Sequence, residues 1–213
     1  MEFLDPAIEN YAQKHSSSES ELLSSLNRNT HAKVLQPRML SGHLQGRVLS
    51  MLSFSKSPKY ILEIGTYTGY SALCLSEGLV ANGELHTIDN NEELREFAED
   101  YFARSINGTQ IKMHTGNALD IIPTLDYKWD MVFIDADKEN YLNYYNLVID
   151  KMNSNGLIIA DNVLWSGKVA KETQKNDLET KGIKEYNKAI QKDKRVDNVL
   201  MPIRDGLMIA RVI

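Results

Sequence analysis

Two short segments of this chain place hard oxygen donors at the ends of apolar runs. They are Phe133-Ile134-Asp135-Ala136-Asp137-Lys138 and Ile159-Ala160-Asp161-Asn162. Runs of this kind have the profile of buried parallel strands. In a parallel sheet the carboxyl ends share one edge, and neighbouring strands lie about 4.8 Å apart. If these two strands are neighbours, Asp135, Asp161 and Asn162 meet at one point. Three such donors suit Mg²⁺, Ca²⁺ or Mn²⁺ and leave positions open for water or substrate. A cation there can chelate two neighbouring oxygens of a substrate and lower the pKa of the one that attacks. Lys138 follows Asp135 by three residues, at the start of the next predicted helix. Partly desolvated near a cation, it is expected to give up its proton more readily, which fits a general base. The five His residues form no cluster with the single Cys that would argue for zinc, and each is read as structural or solvated.

A second constellation lies in Lys59–Ser71, K-Y-I-L-E-I-G-T-Y-T-G-Y-S. Tyr60, Ile61, Leu62 and Ile64 read as a buried strand, and Ser71-Ala72-Leu73-Cys74-Leu75 opens a helical pattern. Gly65 and Gly69 form the turn between them. Strand, glycine turn and helix make the first unit of a nucleotide-binding α/β fold. The spacing is not G-x-G-x-x-G, which sets backbone amides against a pyrophosphate. One glycine for the turn and one for close approach fit a ligand with adenosine and no phosphates, which points to S-adenosylmethionine. Glu63 interrupts the strand near its end, where a carboxylate is costly without a purpose. Asp89 ends a second strand, Glu84–Asp89, and can accept hydrogen bonds from both ribose hydroxyls.

These residues need a frame to hold them. From residue 58 onward strands and helices alternate without internal repeats or low-complexity segments. A helix over about 91–105 follows Asp89, then a weak strand at Ile111–His114 and a short helix opened by Gly116-Asn117-Ala118-Leu119. Asp130–Asp135 is a strong strand, followed by a helix over roughly 138–151 that stops near Asn153–Gly156. Leu157–Asp161 is the fifth strand. The Lys-rich stretch 168–193 reads as a longer, exposed helix. Val196–Met201 and Gly206–Val212, joined by a short turn, must pair antiparallel. The expected fold is a doubly wound, mostly parallel seven-stranded sheet with one reversed strand. Its cofactor crevice lies at the switch point, where the first strand neighbours the fourth.

Residues 2–54 read as three helices. The first starts at Asp5-Pro6, with Ile8, Tyr11 and Ala12 on one face. The second follows the turn Ser16–Glu21 and covers Leu22, Leu23 and Leu26. The third is capped by Ser41, with Leu44, Val48, Leu49 and Leu52 at helical spacing. The linker Val34–Met39 is unusually apolar for a loop, either through packing alone or as a lid over the cofactor.

At 213 residues and 42% apolar content the chain makes one domain with a substantial core. A net charge of −5 gives no overall basic footprint for nucleic acid or an anionic membrane. One cysteine, Cys74, excludes a disulfide framework and reads as a buried structural thiol. The start, M-E-F-L-D-P, is not a signal peptide, and no run approaches a membrane span. A soluble cytoplasmic protein is the expectation.

The segments Met39-x-Ser41-x-x-x-Gln45-Gly46, L-E-I-G-T-Y-T-G-Y-S (62–71), Ile88-Asp89, Gly116-Asn117-Ala118, F-I-D-A-D-K-E-N-Y-L-N-Y-Y (133–145), D-N-V-L-W-S-G-K-V (161–169) and Asp205-Gly206 together carry a resemblance. The chain resembles the cation-dependent O-methyltransferases of the caffeoyl-CoA and catechol type, over nearly all of its length beyond residue 34. The resemblance implies a single Rossmann-like methyltransferase domain, with residues 1–55 as a helical lid and dimer segment before a core at 58–213. It implies that Asp135, Asp161 and Asn162 bind the metal and that Lys138 is the base. It also implies that Met39, Ser41, Glu63, Gly65, Tyr67, Ser71, Asp89, Ala118, Asp137 and Tyr144 line the S-adenosylmethionine site. A homodimer acting on a small molecule with vicinal hydroxyls is expected. The alternative, also by resemblance, is methylation of 5-hydroxyuridine at the tRNA wobble position, with Lys168, Lys171, Lys175, Lys181 and Lys184 as a local basic edge. Where the family often has Ser-Pro-Glu-Gln-Gly-Gln, this chain has Ser41-Gly42-His43-Leu44-Gln45-Gly46.

Overall fold

The computed structural model describes residues 5–213, so the reading of residues 1–4 lies outside the described residues. Three helices lead, α1 (Pro6–Lys14), α2 (Glu21–Lys33) and α3 (Gly42–Lys56). Asp5 and Ser20 cap the first two through side-chain bonds to backbone N–H groups. Ser41 stands at the start of α3 but makes no capping bond, because its own backbone is already helical.

The core then alternates as expected. Strands β1 (Tyr60–Ile64), β2 (Glu84–Asp89), β3 (Ile111–Thr115) and β4 (Trp129–Ile134) are joined through α4 (Tyr70–Ser76), α5 (Arg95–Ala103) and α6 (Ala118–Ile121). After α7 (Tyr141–Val148) come β5 (Met152–Ala160), α8 (Leu178–Lys192), β6 (Val196–Met201) and β7 (Leu207–Val212). All seven strands form one sheet in the order β3-β2-β1-β4-β5-β7-β6. Only β7 runs against its neighbours, between β5 and β6. β1 pairs with both β2 and β4, which puts the switch point at the β1/β4 edge.

Successive residues of a strand face opposite sides of the sheet, and the core divides accordingly. Leu62, Ile64, Val132 and Ile134 pack with α6, α7 and α8 on one face. Ile61, Met131 and Phe133 pack with α2, α3, α4 and α5 on the other. Cys74 is fully buried in this second layer, and burial pushes its thiol up to about 12, consistent with an inert structural role.

Two local expectations are revised. β5 begins at Met152, not Leu157: Asn155 takes a left-handed backbone and the β4/β5 register shifts between Trp129 and Met131, so the presumed loop joins the sheet. α8 is not simply exposed; its Ile183, Tyr186 and Ile190 are fully buried, while its lysines occupy the opposite side. His86 and His114, distant in sequence, stand on adjacent strands with Nδ1 and Nε2 3.0 Å apart and rings stacked.

Gly65 brings the β1–α4 turn against the end of β4. Its φ is +102°, and a Cβ there would lie 1.9 Å from the backbone oxygen of Asp135. Relief would require moving main chain at the switch point. We therefore expect Gly65→Ala to lose more than about 2 kcal/mol of stability, read as a lowered urea midpoint at unchanged m-value.

Candidate active site

The carboxyl ends of β1, β2, β4 and β5 open onto one cleft of about 1990 Å³. At one pole the β1–α4 turn presents Gly65, Tyr67 and Ser71, with Asp89 from β2 and Ala118 at the start of α6. Asp89 Oδ2 accepts from the Tyr67 N–H at 2.7 Å and Oδ1 from the Asn91 N–H at 2.9 Å. The acid thus fixes the turn while each oxygen keeps a lone pair for a ligand hydroxyl. The turn carries no Lys or Arg between residues 63 and 71, so nothing there would neutralise a diphosphate.

Met39 and Ser41 border the same pole from the α2–α3 connection. Leu35 is fully exposed and Met39 is 56% exposed, so this linker is not an element held by packing alone. Its contact with the β1–α4 turn is polar: the Tyr67 hydroxyl donates to the Gln36 carbonyl at 2.9 Å. Asp137 and Tyr144 lie between the two poles and are bonded to each other, Tyr144 Oη donating to Asp137 Oδ1 at 2.5 Å.

The second pole holds Asp135, Lys138, Asp161 and Asn162, all on the cleft wall. β4 and β5 are direct neighbours, with Ile134 opposite Ala160, so the two following acids emerge side by side. Lys138 is 7% exposed; its Nζ donates to Asp135 Oδ1 at 3.0 Å and to Tyr141 Oη at 2.6 Å. Tyr141 in turn donates to the Asp161 carbonyl at 3.1 Å. The Trp165 ring lies 5.7 Å from Lys138 Nζ and completes a partly aromatic wall. Gly182 of α8 packs so closely on this segment that a Cβ would meet the Lys138 carbonyl at 2.5 Å. Asn162, with φ +57°, turns its N–H onto Asp161 Oδ1 at 2.7 Å.

Burial raises the Asp161 carboxyl above its ordinary value, and the neighbouring Asp135 charge raises it further. Lys138 pairs with Asp135 at 3.0 Å, and Lys138 and Arg204 both offset the Asp161 charge. Two carboxylates and one amide form a hard-oxygen set that a divalent cation would stabilise, and the residues fit such an ion. Among the described residues no group of three His, Cys, Asp or Glu gathers as a metal site.

Four residues of this architecture were not singled out for a role in the sequence. Tyr141 and Gly182 hold Lys138, while Gln45 donates to Asp161 Oδ2 at 2.7 Å and accepts from Arg204 at 3.1 Å. Tyr141 and Gln45 stand inside quoted motif segments; Arg204 and Gly182 have no sequence signal that marks them.

Glu63 is the one predicted site residue that does not open onto the cleft. It is fully buried behind the turn, where Oε2 accepts from Thr87 at 2.5 Å and Oε1 has no partner. Burial pushes its carboxyl up to about 8. The folded protein therefore holds a proton on Glu63 that the unfolded chain releases above about pH 4.5. Stability contributed by this group is complete below that pH and declines as pH rises toward 8, by up to about 1.4 kcal/mol per pH unit. Glu63→Gln should remove this decline, so its urea midpoint should gain on the wild type between pH 5.5 and 8.

A family model described as O-methyltransferase matches residues 13–213. The caffeoyl-CoA O-methyltransferase of Petroselinum crispum is 34% identical over 184 residues, covering 78% of this chain and 74% of that protein. The O-methyltransferase TomG of Streptomyces achromogenes, solved with SAM, superposes with a TM-score of 0.88 at 27% identity, covering 97% and 96% of the two chains. An O-methyltransferase from Bacillus cereus, solved with SAH, gives 0.90 at 28% identity over 97% of each chain. The seven-stranded sheet, the two-poled cleft and these matches agree: this chain belongs to the O-methyltransferase family and is an enzyme of that family.

Proposed function

We propose that this enzyme uses S-adenosylmethionine and a divalent cation, Mg²⁺ or alternatively Ca²⁺ or Mn²⁺, to methylate one of two vicinal hydroxyls on a small, catechol-like molecule. The observation that carries this reading is the placement of Lys138, Asp135, Asp161 and Asn162 at one end of a cleft whose other end is the glycine turn. Gly65, Tyr67, Ser71, Asp89 and Ala118 would hold the nucleoside and methionine parts of the donor, with Met39 and Ser41 as a lid and Asp137 and Tyr144 between the poles. Glu63 would support that site from behind the turn. Asp135, Asp161 and Asn162 would hold the cation. When bound, the sulfonium donor supplies an electrophilic methyl group, and the cation supplies positive charge that makes a chelated hydroxyl more acidic.

The chain's own residues do the rest. Once its ammonium proton has passed to solvent, Lys138 keeps its two contacts with Asp135 and Tyr141 and has a lone pair to receive the acceptor's hydroxyl proton. Trp165 offers a flat apolar surface for an aromatic ring beside that nitrogen. Alignment of the attacking oxygen and stabilisation of its developing charge account for most of the acceleration. The name of the caffeoyl-CoA-methylating relative supports an aromatic acceptor.

The tRNA alternative has less support from the lysine-rich edge. Lys168 lies 3.5 Å from Asp177, Lys184 donates to the Lys171 carbonyl at 2.5 Å, and Lys181 bonds the Lys175 carbonyl. These ammonium groups are partly committed to their own loop. We also propose a cytoplasmic homodimer, supported by Ile8 and Tyr11 on α1 and Met51 and Phe54 on α3, all exposed on packed neighbouring helices.

Labelled S-adenosylmethionine with Mg²⁺ should yield fast methyl transfer to a simple catechol, abolished by chelator. Transfer to hydroxylated tRNA alone would move the enzyme to RNA modification. Lys138→Met should lower kcat by about 10²- to 10⁴-fold while leaving S-adenosylhomocysteine affinity, measured by calorimetry, unchanged. Asp161→Ala should abolish turnover and largely spare donor binding; wild-type rates in that variant would sink the cation assignment.

A further inference from the structure

Gln45 is fully buried near the start of α3, yet both ends of its amide are occupied by groups from distant parts of the chain. Its Nε2 donates to Asp161 Oδ2 at 2.7 Å, and its Oε1 accepts from Arg204 Nη1 at 3.1 Å. A carboxylate only accepts and a guanidinium only donates, so one orientation of the amide satisfies both. Arg204 is itself anchored: Nη1 also donates to the Ser41 carbonyl, and Nη2 to the Leu40 carbonyl at 3.3 Å. Its backbone φ is +49°, a left-handed conformation that disfavours a residue with a side chain. The same arginine spans the lid segment, α3 and the β6–β7 connection.

We propose that Gln45 is a positioning residue: it fixes the rotation of the Asp161 carboxylate for cation binding, and Arg204 fixes Gln45. This rests on the reading of Asp135, Asp161 and Asn162 as cation ligands. Asp161 Oδ1 is already held by the Asn162 N–H, so Gln45 supplies the second constraint needed to stop the carboxylate from turning. Each oxygen keeps a free lone pair for an ion. Groups that hold a ligating side chain in this way change metal affinity by about 10- to 100-fold when removed. Because Arg204 grips Leu40 and Ser41 with the same guanidinium, the lid and the cation pole share one mechanical connection.

The test is Mn²⁺ binding to the purified protein, followed by electron paramagnetic resonance, with thermal midpoints recorded in the absence of cation. Gln45→Leu, similar in size and without hydrogen bonds, should raise the Mn²⁺ Kd about 10- to 100-fold. Arg204→Met keeps Gln45 but releases its amide; it should raise Kd by a smaller factor, and it carries the test alone should the Leu variant fail to fold. Wild-type Mn²⁺ affinity in Gln45→Leu, with only the thermal midpoint lowered, would reduce Gln45 to a packing role and overturn the proposal. Wild-type affinity in Arg204→Met would do the same where that variant stands alone. Wild-type protein that binds no Mn²⁺ would overturn the cation reading itself, and this inference with it.

Discussion

Negative charge gathered at one edge of the sheet is the constraint on which the rest of this structure depends. Parallel strands bring their carboxyl ends together, and here β1, β2, β4 and β5 each have an acid in or just beyond that end. Left unbalanced, such a cluster would work against folding, since a buried charge without a partner is costly. The chain answers each acid differently. Glu63 is fully buried and holds its proton, Asp89 accepts two backbone N–H groups, and Asp135 is paired with Lys138. Asp161 is held by the Asn162 N–H and the Gln45 amide, yet burial and the neighbouring Asp135 charge still raise its carboxyl. Asp135 and Asp161 emerge side by side on the cleft wall, which is where we propose a divalent cation.

Close backbone approach is the second requirement. The turn after β1 lies against the end of β4 only because Gly65 has no side chain, and α8 lies against the Lys138 segment only because Gly182 has none. These two contacts bring the glycine turn and Lys138 to a common wall. Tyr141 reinforces the arrangement from inside the α7 layer, its hydroxyl linking Lys138 to the main chain of Asp161. Because burial holds the Tyr141 phenol well above its ordinary range, it stays protonated and serves as a donor.

Much of this was legible from residue order. Strand-end acids such as Asp135 and Asp161 announce themselves by following apolar runs, and the β1/β4 switch point follows from the alternation of elements. The first two N-terminal helices were equally readable from their caps, the third from its apolar spacing alone, since Ser41 makes no capping bond. What escaped are contacts between remote segments. Nothing local marks Arg204 as the partner of Leu40 and Ser41, 164 and 163 residues away. Gly182 looks like an ordinary weak point in a Lys-rich helix until its packing is seen, and the burial of Tyr186 was masked by the charge around it. The early start of β5 was hidden because Asn153–Gly156 has turn composition, whereas a left-handed Asn155 lets those residues remain in the sheet.

Arg204 and β7 belong to the part of the chain that is synthesised after nearly everything they hold in place. β7 inserts between β5 and β6, and the loop before it reaches back to the segment joining the second and third helices. A growing polypeptide can assemble the glycine turn and its parallel neighbours early, but the grip on Gln45 must wait for the last strands. Such long sequence separation slows the search for the native arrangement, because loop closure comes before the contacts that reward it. An incomplete chain would have the acids of its site without the clamp that orders them. The final geometry of the site therefore depends on a loop far along the chain from the residues it holds.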